Sequence, residues 1–341
     1  MIIFGLSTDI GLRRNPLPGT EFPRARVISA QGGGQQVLTV EILSGEFRGK
    51  IVEARNIVFV DASVNPQIGQ TIIIQFDYHG GGNYQAHVHS YVRDTAIYII
   101  AVLFLGLVAA VGGKSGLRAA YGLVFSFVTI LFLLIPAIMR GALPSVLTIL
   151  VALLITAVSL ISILGFEKKT TVSVIGTVIG IAFYCIFYVA IARVLRVSGA
   201  NIPEINQLVV LGFTETANLT QLLFSGILIA SLGAVTDTTV SVASATAEIA
   251  KANLGFNELF KSSMRVARDC VGSSANTLIL AFTGTFFITL IMFQLHELNY
   301  NMLINRVDIA IEVLRAISAS AGMILCAPAT ALVGSYMYKK I

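Results

Sequence analysis

The sequence predicts a membrane α-helical bundle of about seven transmembrane helices, preceded by a small all-β domain with a barrel-like fold. Uncharged apolar segments recur from Thr95 to the C-terminus, and several reach the roughly 20 residues that cross a hydrocarbon layer. Hydrophobic residues make up 55% of the chain and charged residues 12%, with a mean hydropathy of +0.83, a balance unsuited to a water-exposed surface. Before residue 94, apolar residues instead alternate with polar ones, which is typical of strands.

The β-domain is assigned to residues 1–93, and the transmembrane domain to residues 94–341. Period-two alternation marks the segments 37–43, 51–54, 71–76 and 84–89, which Gly- and Pro-containing turns separate. About five short strands within roughly 70 residues fit a small barrel of OB-like or SH3-like size.

Seven segments of the second domain are predicted to be transmembrane helices, namely 95–111, 119–138, 141–164, 170–192, 219–247, 270–295 and 309–338. Residues 201–218 are apolar only over 208–213, which is too short to cross a bilayer. We therefore expect 201–218 to be interfacial or re-entrant, because a crossing there would invert every helix that follows.

The distribution of Lys and Arg predicts which side of the membrane each loop faces. With the β-domain outside, the inner loops and tail hold ten of these residues and the outer loops hold five, as the positive-inside rule favours. The net charge of +5 is thereby explained by topology, and nucleic acid is not predicted as a partner.

The start of the chain bears on this orientation. Export of a leading β-domain requires an upstream signal or anchor. Residues 2–12 form only a short apolar run, which Asp9 interrupts. Two explanations stay open: the native start lies upstream, or this run is the remnant of an anchor.

Asp237 is the most informative residue of the transmembrane domain, because a carboxylate near the bilayer centre costs about 2.5–3.5 kcal/mol on insertion scales. Asp237, Ser241, Ser244 and Glu248 follow the spacing i, i+4, i+7, i+11, which places them on one helical face. This face is interpreted as a proton or cation relay. The alternative is a polar seam that joins helices through hydroxyl groups.

The next helix offers a polar partner face. A short loop joins the two helices, so they are expected to be antiparallel neighbours. Counting outward from that loop places Asn276 at about the depth of Asp237, and we expect these two side chains to share an ion-coupling or transport site with Ser241 and Ser244.

The remaining charged residues of these helices are predicted to form ion pairs rather than a catalytic site. The same depth count places Glu248 beside Arg265, Arg268 and Asp269 at the inner surface. In the last helix, Glu312 and Arg315 have the spacing of an intrahelical pair.

Metal and enzyme signatures are weak. His79, His87 and His89 fall in one predicted hairpin, but no cysteine or carboxylate lies at ligand spacing, so surface histidines are favoured over a metal site. The motif Gly-Gly-Lys-Ser-Gly at 112–116 lacks the first glycine of a phosphate loop. The predicted spans contain no histidine for a Ser-His-Asp set, so neither an enzyme activity nor a cofactor is predicted.

Several motifs carry a resemblance to a known family. Ser-Leu-Gly-Ala-Val-Thr-Asp at 231–237, the block from Ala267 to Phe282, and Glu-Val-Leu-Arg-Ala at 312–316 resemble the YibE/F-like family of bacterial membrane proteins. The similarity includes Gly-Gly-Lys-Ser-Gly-Leu at 112–117 and, in the β-domain, residues 45–49 and 54–56. The resemblance implies the topology of a multi-pass protein of the bacterial cytoplasmic membrane.

The predicted function is that of a permease, in particular an ion-coupled secondary transporter whose ion-responsive group is Asp237. The predicted partners are membrane lipid and either further copies of the chain or a separate membrane or ATPase subunit. A membrane scaffold or sensor that presents the β-domain to an extracytoplasmic partner is the competing prediction, and an intramembrane enzyme is a third.

Overall fold

The computed structural model describes residues 20–31, 36–56, 65–78, 84–197, 216–296 and 299–339. The chain divides into two compact units, Met1–Leu107 and Val108–Ile341. The first unit contains all the strands, and the second contains most of the helices. The last strand ends at Tyr91 and the first helix begins at Asp94, next to the predicted domain boundary.

Six strands are described, and they form the predicted small β-barrel: β1 Thr20–Glu21, β2 Arg24–Gln31, β3 Gln36–Ile42, β4 Ile51–Asn56, β5 Thr71–Tyr78 and β6 Tyr84–Tyr91. Alternate side chains point inward, and Leu38, Ile72 and Ile74 are fully buried in its core. The two-residue strand β1 pairs only with β5, at the edge of the sheet.

Strand pairing closes the five longer strands into a barrel. The order around it is β2, β3, β4, β6, β5 and back to β2, and β4 pairs with β6 in parallel. Strand β2 pairs with both β3 and β5, and a register shift between Val27 and Ser29 bends it. This five-stranded order is that of an OB-type barrel. The number of predicted strands fitted either an OB-like or an SH3-like barrel.

The helices described are α1 Asp94–Thr129, a π-helix Ile130–Leu134, α2 Ile135–Met139, α3 Pro144–Leu164, α4 Lys168–Val194, α5 Thr216–Ala250, α6 Phe256–Leu295, α7 Tyr300–Ile304 and α8 Val307–Tyr338. Within the described ranges, six helical segments are long and apolar enough to cross a membrane. The longest of these, Asp94–Met139, contains both the first and the second predicted spans.

Gly113 interrupts α1 between those two predicted spans. Its φ of 56° and ψ of −134° are not helical, and the left-handed region suits glycine because other residues clash there. Residues 94–112 and 114–139 are therefore two helical pieces separated by a kink. A count of seven spans requires each piece to cross the membrane by itself.

Helices α4, α5 and α8 form the centre of the second unit, and glycines allow their close approach. A Cβ atom at Gly180 on α4 would lie 2.7 Å from Val235 Cγ1 on α5 and 2.9 Å from Cys326 Cβ on α8. At Gly322 on α8, a Cβ atom would lie 2.9 Å from the carbonyl oxygen of Gly180. Small residues at helix crossings are usual in membranes, where close packing drives association.

Helices α4 and α5 run antiparallel. Gly176 lies against Thr239, whereas Tyr184, further along α4, donates to the carbonyl oxygen of Phe224, which is earlier in α5. Thus α4 ends and α5 begins on the same side of the bundle. Most of the segment between them, which includes the predicted interfacial residues 201–215, lies outside the described residues.

Helix α6 begins at Phe256, well before the predicted start at residue 270. The first half of the helix is too polar to be recognised from an apolar window, but one of its faces is buried. Leu259, Ser263 and Ala267 recur every four residues on that face and are fully buried. The antiparallel arrangement of α5 and α6 is as expected, because Ala267 packs with Val242 and Ala275 with Val235.

Candidate functional site

The principal candidate site is a groove of about 680 Å³ in the helical unit, into which Asp237 faces. Its walls are the second half of α1 with the π-helix, the middle of α3, and residues 229–241 of α5. Gly233, Asp237 and Ser241 are spaced four residues apart and share the face of α5 that lines the groove.

Among the described residues that line the groove, Asp237 is the only ionisable one. Its carboxylate has no hydrogen bond and no ion pair with any described residue. The midpoint of Leu219–Ala250 falls between Ala234 and Val235, so Asp237 lies within one turn of the centre of its span. An unpaired carboxylate at that depth is costly, so it must face water, a bound cation or a proton.

Hydroxyl groups are the other polar groups of the groove: Ser126 on α1, Thr156 and Ser159 on α3, and Thr236 and Ser241 on α5. Ser126 donates to the carbonyl oxygen of Gly122 at 2.8 Å, and Thr236 donates to that of Leu232 at 2.9 Å. Both hydroxyls keep lone pairs that can accept a hydrogen bond. The hydroxyl of Thr156 is buried and has no partner.

Thr156, Ser159, Ser126 and Thr236 were not among the predicted site residues. A weak signal for two of them is present in the sequence, because Thr156 and Ser159 are hydroxyl residues about one turn apart in an uncharged helix, which also contains Ser145, Thr148 and Ser162. That signal does not reveal which neighbour they face. The contact between α1 and α3 does so, and it relies on Gly122, where a Cβ atom would lie 3.2 Å from Ser159 Oγ.

A polar seam joins α4 and α5, but it uses a face of α5 different from the one for which a seam was considered. The hydroxyls of Thr177 on α4 and Thr239 on α5 are 3.0 Å apart and fully buried. Asp237 and Ser241 do not belong to this seam, since they line the groove. The relay on the face of Asp237 and Ser241 stays a prediction.

Two of the predicted transport residues do not line the groove. Ser244 is partly buried further along α5, and Asn276 is exposed on α6. The depth count ignored rotation about the helix axis. Helix α6 packs on the face of α5 that bears Val235, where Ala275 contacts the cluster of Val235, Met323 and Cys326. Asp237 is about 200° around α5 from Val235 and therefore points away from α6.

The predicted ion pair between Glu248 and an arginine of α6 is wrong. Glu248 instead pairs with Lys251 on its own helix, with Nζ and Oε2 2.7 Å apart. Arg265, Arg268 and Asp269 are exposed and form no ion pair within the part of the chain that the structure describes. The reason is that α6 turns the face bearing Leu259 and Ala267 toward the bundle.

The predicted pair in the last helix is present, with Arg315 Nη1 and Glu312 Oε2 3.2 Å apart. The other carboxylate oxygen of Glu312 is buried without a hydrogen-bond partner. Neither residue lines the groove.

A second, smaller pocket of about 370 Å³ lies on the barrel, and polar side chains of β4 and β6 line it. They include Glu53 and Arg55 from β4 and Tyr84, Gln85 and His87 from β6. His89 is exposed and contacts Phe22, and His79 lies outside the described residues. Among the residues described, no three His, Cys, Asp or Glu side chains are grouped to hold a metal.

Helices long and apolar enough to span a bilayer, together with a small barrel, define a multi-pass membrane protein. The family model described as YibE/F-like protein matches residues 100–340, and the chain belongs to this family. The match begins inside α1 and leaves the barrel outside it, so the resemblance within the β-domain stays a prediction. No curated protein and no solved structure matches the chain.

Proposed function

We propose that the protein is a permease of the bacterial cytoplasmic membrane, in particular an ion-coupled secondary transporter in which Asp237 is the ion-responsive group. The observation that supports this proposal is the unpaired carboxylate of Asp237 in a groove near the middle of its span. Transport sites of secondary transporters lie near the bilayer midplane. Ionisable residues inside a membrane mark ion or substrate pathways.

The proposal includes a topology of seven spans with the kink at Gly113 between the first two, and with the β-domain outside. The positive-inside distribution supports it. A cysteine at Lys251, with the three native cysteines removed, should resist an impermeant thiol reagent in intact cells. Labelling of this cysteine from outside would reverse the orientation. Energy would come from an ion gradient or a separate ATPase subunit, and no enzyme activity is proposed.

Asp237→Asn tests the role of the carboxylate, because it keeps the size of the side chain and removes its charge and titration. In proteoliposomes under an imposed pH gradient, flux of the responsive solute from a panel of ions and small molecules should fall at least about tenfold. Glu248→Gln is the matched control, since it removes an exposed carboxylate from the same helix. Equal flux through the Asn variant and the wild type would refute the relay.

A second candidate function is a scaffold or sensor that presents the barrel to an extracytoplasmic partner. The polar pocket beside Glu53, Arg55 and His87 supports this candidate, since it provides both charges for recognition. Cells that lack the wild-type protein separate the two functions. Rescue by Asp237→Asn together with failure of Arg55→Ala favours the scaffold, and the reverse result favours the transporter.

A further inference from the structure

We propose that the groove beside Asp237 binds a monovalent organic cation with an apolar body, and that cation and proton compete for the Asp237 carboxylate. This inference rests on the proposed transport function and names the substrate class of the same site. Three features of the groove carry it: its size, the chemistry of its walls, and its single charge.

The size of the groove fits a small organic molecule. Its volume of about 680 Å³ lies within the roughly 300–1,000 Å³ of drug-sized ligand sites. A bare inorganic ion would leave most of this space to water. Among the described residues, no three His, Cys, Asp or Glu side chains are grouped as the ligands of a multivalent metal ion would be.

The walls of the groove favour an apolar body. Twelve of the lining residues, which are two-thirds of the total, are aliphatic, aromatic or glycine. Leu123, Phe127 and Ile155 are examples. A sugar or another strongly hydrated solute would lose hydrogen bonds to water that these walls cannot replace. Phe127 adds an aromatic ring to the lining, and the π-systems of such rings attract cations.

The charge of the groove selects a cation. Within the part of the chain that the structure describes, no Lys, Arg or His lines it, so an anion would meet the carboxylate of Asp237 and no positive charge. A cation would be attracted to that carboxylate. Ser126 and Ser159 also line the groove, and their hydroxyl oxygens can accept hydrogen bonds from an ammonium group.

One carboxylate carries either one proton or one bound monovalent cation. When the cation leaves Asp237, a proton takes its place on the carboxylate, and when the cation binds, that proton is released. Across a membrane this exchange moves one positive charge in each direction and is electroneutral. The walls contribute no second titratable group that could change this ratio.

Ethidium, an aromatic monovalent cation, is the probe for the test. The full-length protein in phosphatidylcholine nanodiscs should bind ethidium saturably, with an affinity that weakens as pH falls because protons compete. Asp237→Asn should lower the affinity at least about tenfold and abolish its pH dependence, whereas Glu248→Gln should leave both unchanged. An unchanged affinity in Asp237→Asn overturns the proposal.

A second variant fills the groove and keeps the carboxylate. Gly233 lines the groove, and a Cβ atom there meets nothing within 4 Å, so the backbone position accepts a side chain and Gly233→Leu adds bulk to the groove. Gly226 on the same helix is equally open and does not line the groove, which makes Gly226→Leu the matched control. Ethidium binding should be lost in Gly233→Leu and kept in Gly226→Leu. Equal binding by both variants places the site elsewhere and overturns the proposal.

Two further probes decide whether charge matters. Neutral phenylnaphthylamine and anionic anilinonaphthalenesulfonate should bind at least about tenfold more weakly than ethidium. Equal binding of the neutral probe would show a lipid groove without charge selection and overturn the proposal. Asp237-dependent flux of another solute without ethidium binding would refute only the substrate class. Asp237-dependent ethidium binding without any flux would refute only the transport function.

Discussion

The core of the barrel is apolar, with Leu38, Ile72 and Ile74 at 0% exposure, whereas the centre of the helical unit also holds Thr177 and Thr239 at 0%. On the outer surfaces, it is the helical unit that is the more apolar of the two. In the helical unit, large apolar side chains such as Leu280 and Ile288 are exposed, because lipid is their solvent.

Different interactions stabilise the barrel and the helical bundle. Water drives the aliphatic side chains of the barrel inward, since removing apolar surface from water is favourable. Lipid supplies no such force between helices, so the bundle depends on small residues, close packing and hydroxyl hydrogen bonds. Loss of apolar area should therefore destabilise the barrel more than the lipid-exposed surface of the bundle. The bundle should instead be sensitive to substitutions that prevent the close approach of its helices.

The largest effect is expected for Gly180→Leu. Its side chain would overlap Val235 and Cys326, and α4 would have to move away from α5 and α8. We expect a loss of more than about 3 kcal/mol, seen as little folded protein after detergent extraction and gel filtration. Gly226→Leu adds the same side chain in open space and should give a wild-type yield. A normal yield of Gly180→Leu would show that close approach does not hold the bundle together.

The next effect concerns apolar area. Leu38→Ala removes buried methyl groups from the barrel and should lower its stability by about 2–5 kcal/mol. Leu280→Ala makes the same chemical change at a side chain that is 61% exposed and should alter stability by less than about 0.5 kcal/mol. Protease susceptibility of the barrel and thermal unfolding of the full-length protein measure the two. Equal losses would remove the distinction between the regions.

The smallest effect concerns the hydroxyl pair between α4 and α5. Replacing Thr177 and Thr239 by Val, singly and together, should give a coupling energy of about 0.6 kcal/mol, the average for such bonds in membranes. Thr148 bonds only to Pro144 of its own helix, so a cycle of Thr177 with Thr148 should show no coupling. Reversible unfolding in detergent micelles provides the free energies. Equal coupling in both cycles would indicate a general loosening of the bundle.

Much of the architecture could be predicted because it depends on local patterns. Alternation predicted the strands at 37–43 and 71–76, and β3 and β5 overlap them. Apolar length predicted the spans, and it failed for the first half of α6, where only one face is apolar. Asp237 was singled out because a carboxylate in an apolar segment is conspicuous without any knowledge of its neighbours.

The surroundings of Asp237 could not be predicted in the same way. Ser126 and Thr156 are far from Asp237 in the chain, and only the packing of α1, α3 and α5 brings them to one groove. Asn276 has a suitable depth on α6 but is exposed and does not line the groove. The depth of a residue in the membrane follows from counting residues along its helix at about 1.5 Å each. The rotation of that helix about its own axis does not follow from the count.

By itself, the sequence determined that the chain crosses membranes, that a barrel precedes the bundle, and that Asp237 is costly where it lies. These properties are sums over neighbouring residues, and hydropathy and periodicity measure them directly. Only the tertiary structure decided what Asp237 faces. The rotation of each helix about its axis is set by close approaches such as that of Gly180 to Val235, which join residues distant in the chain.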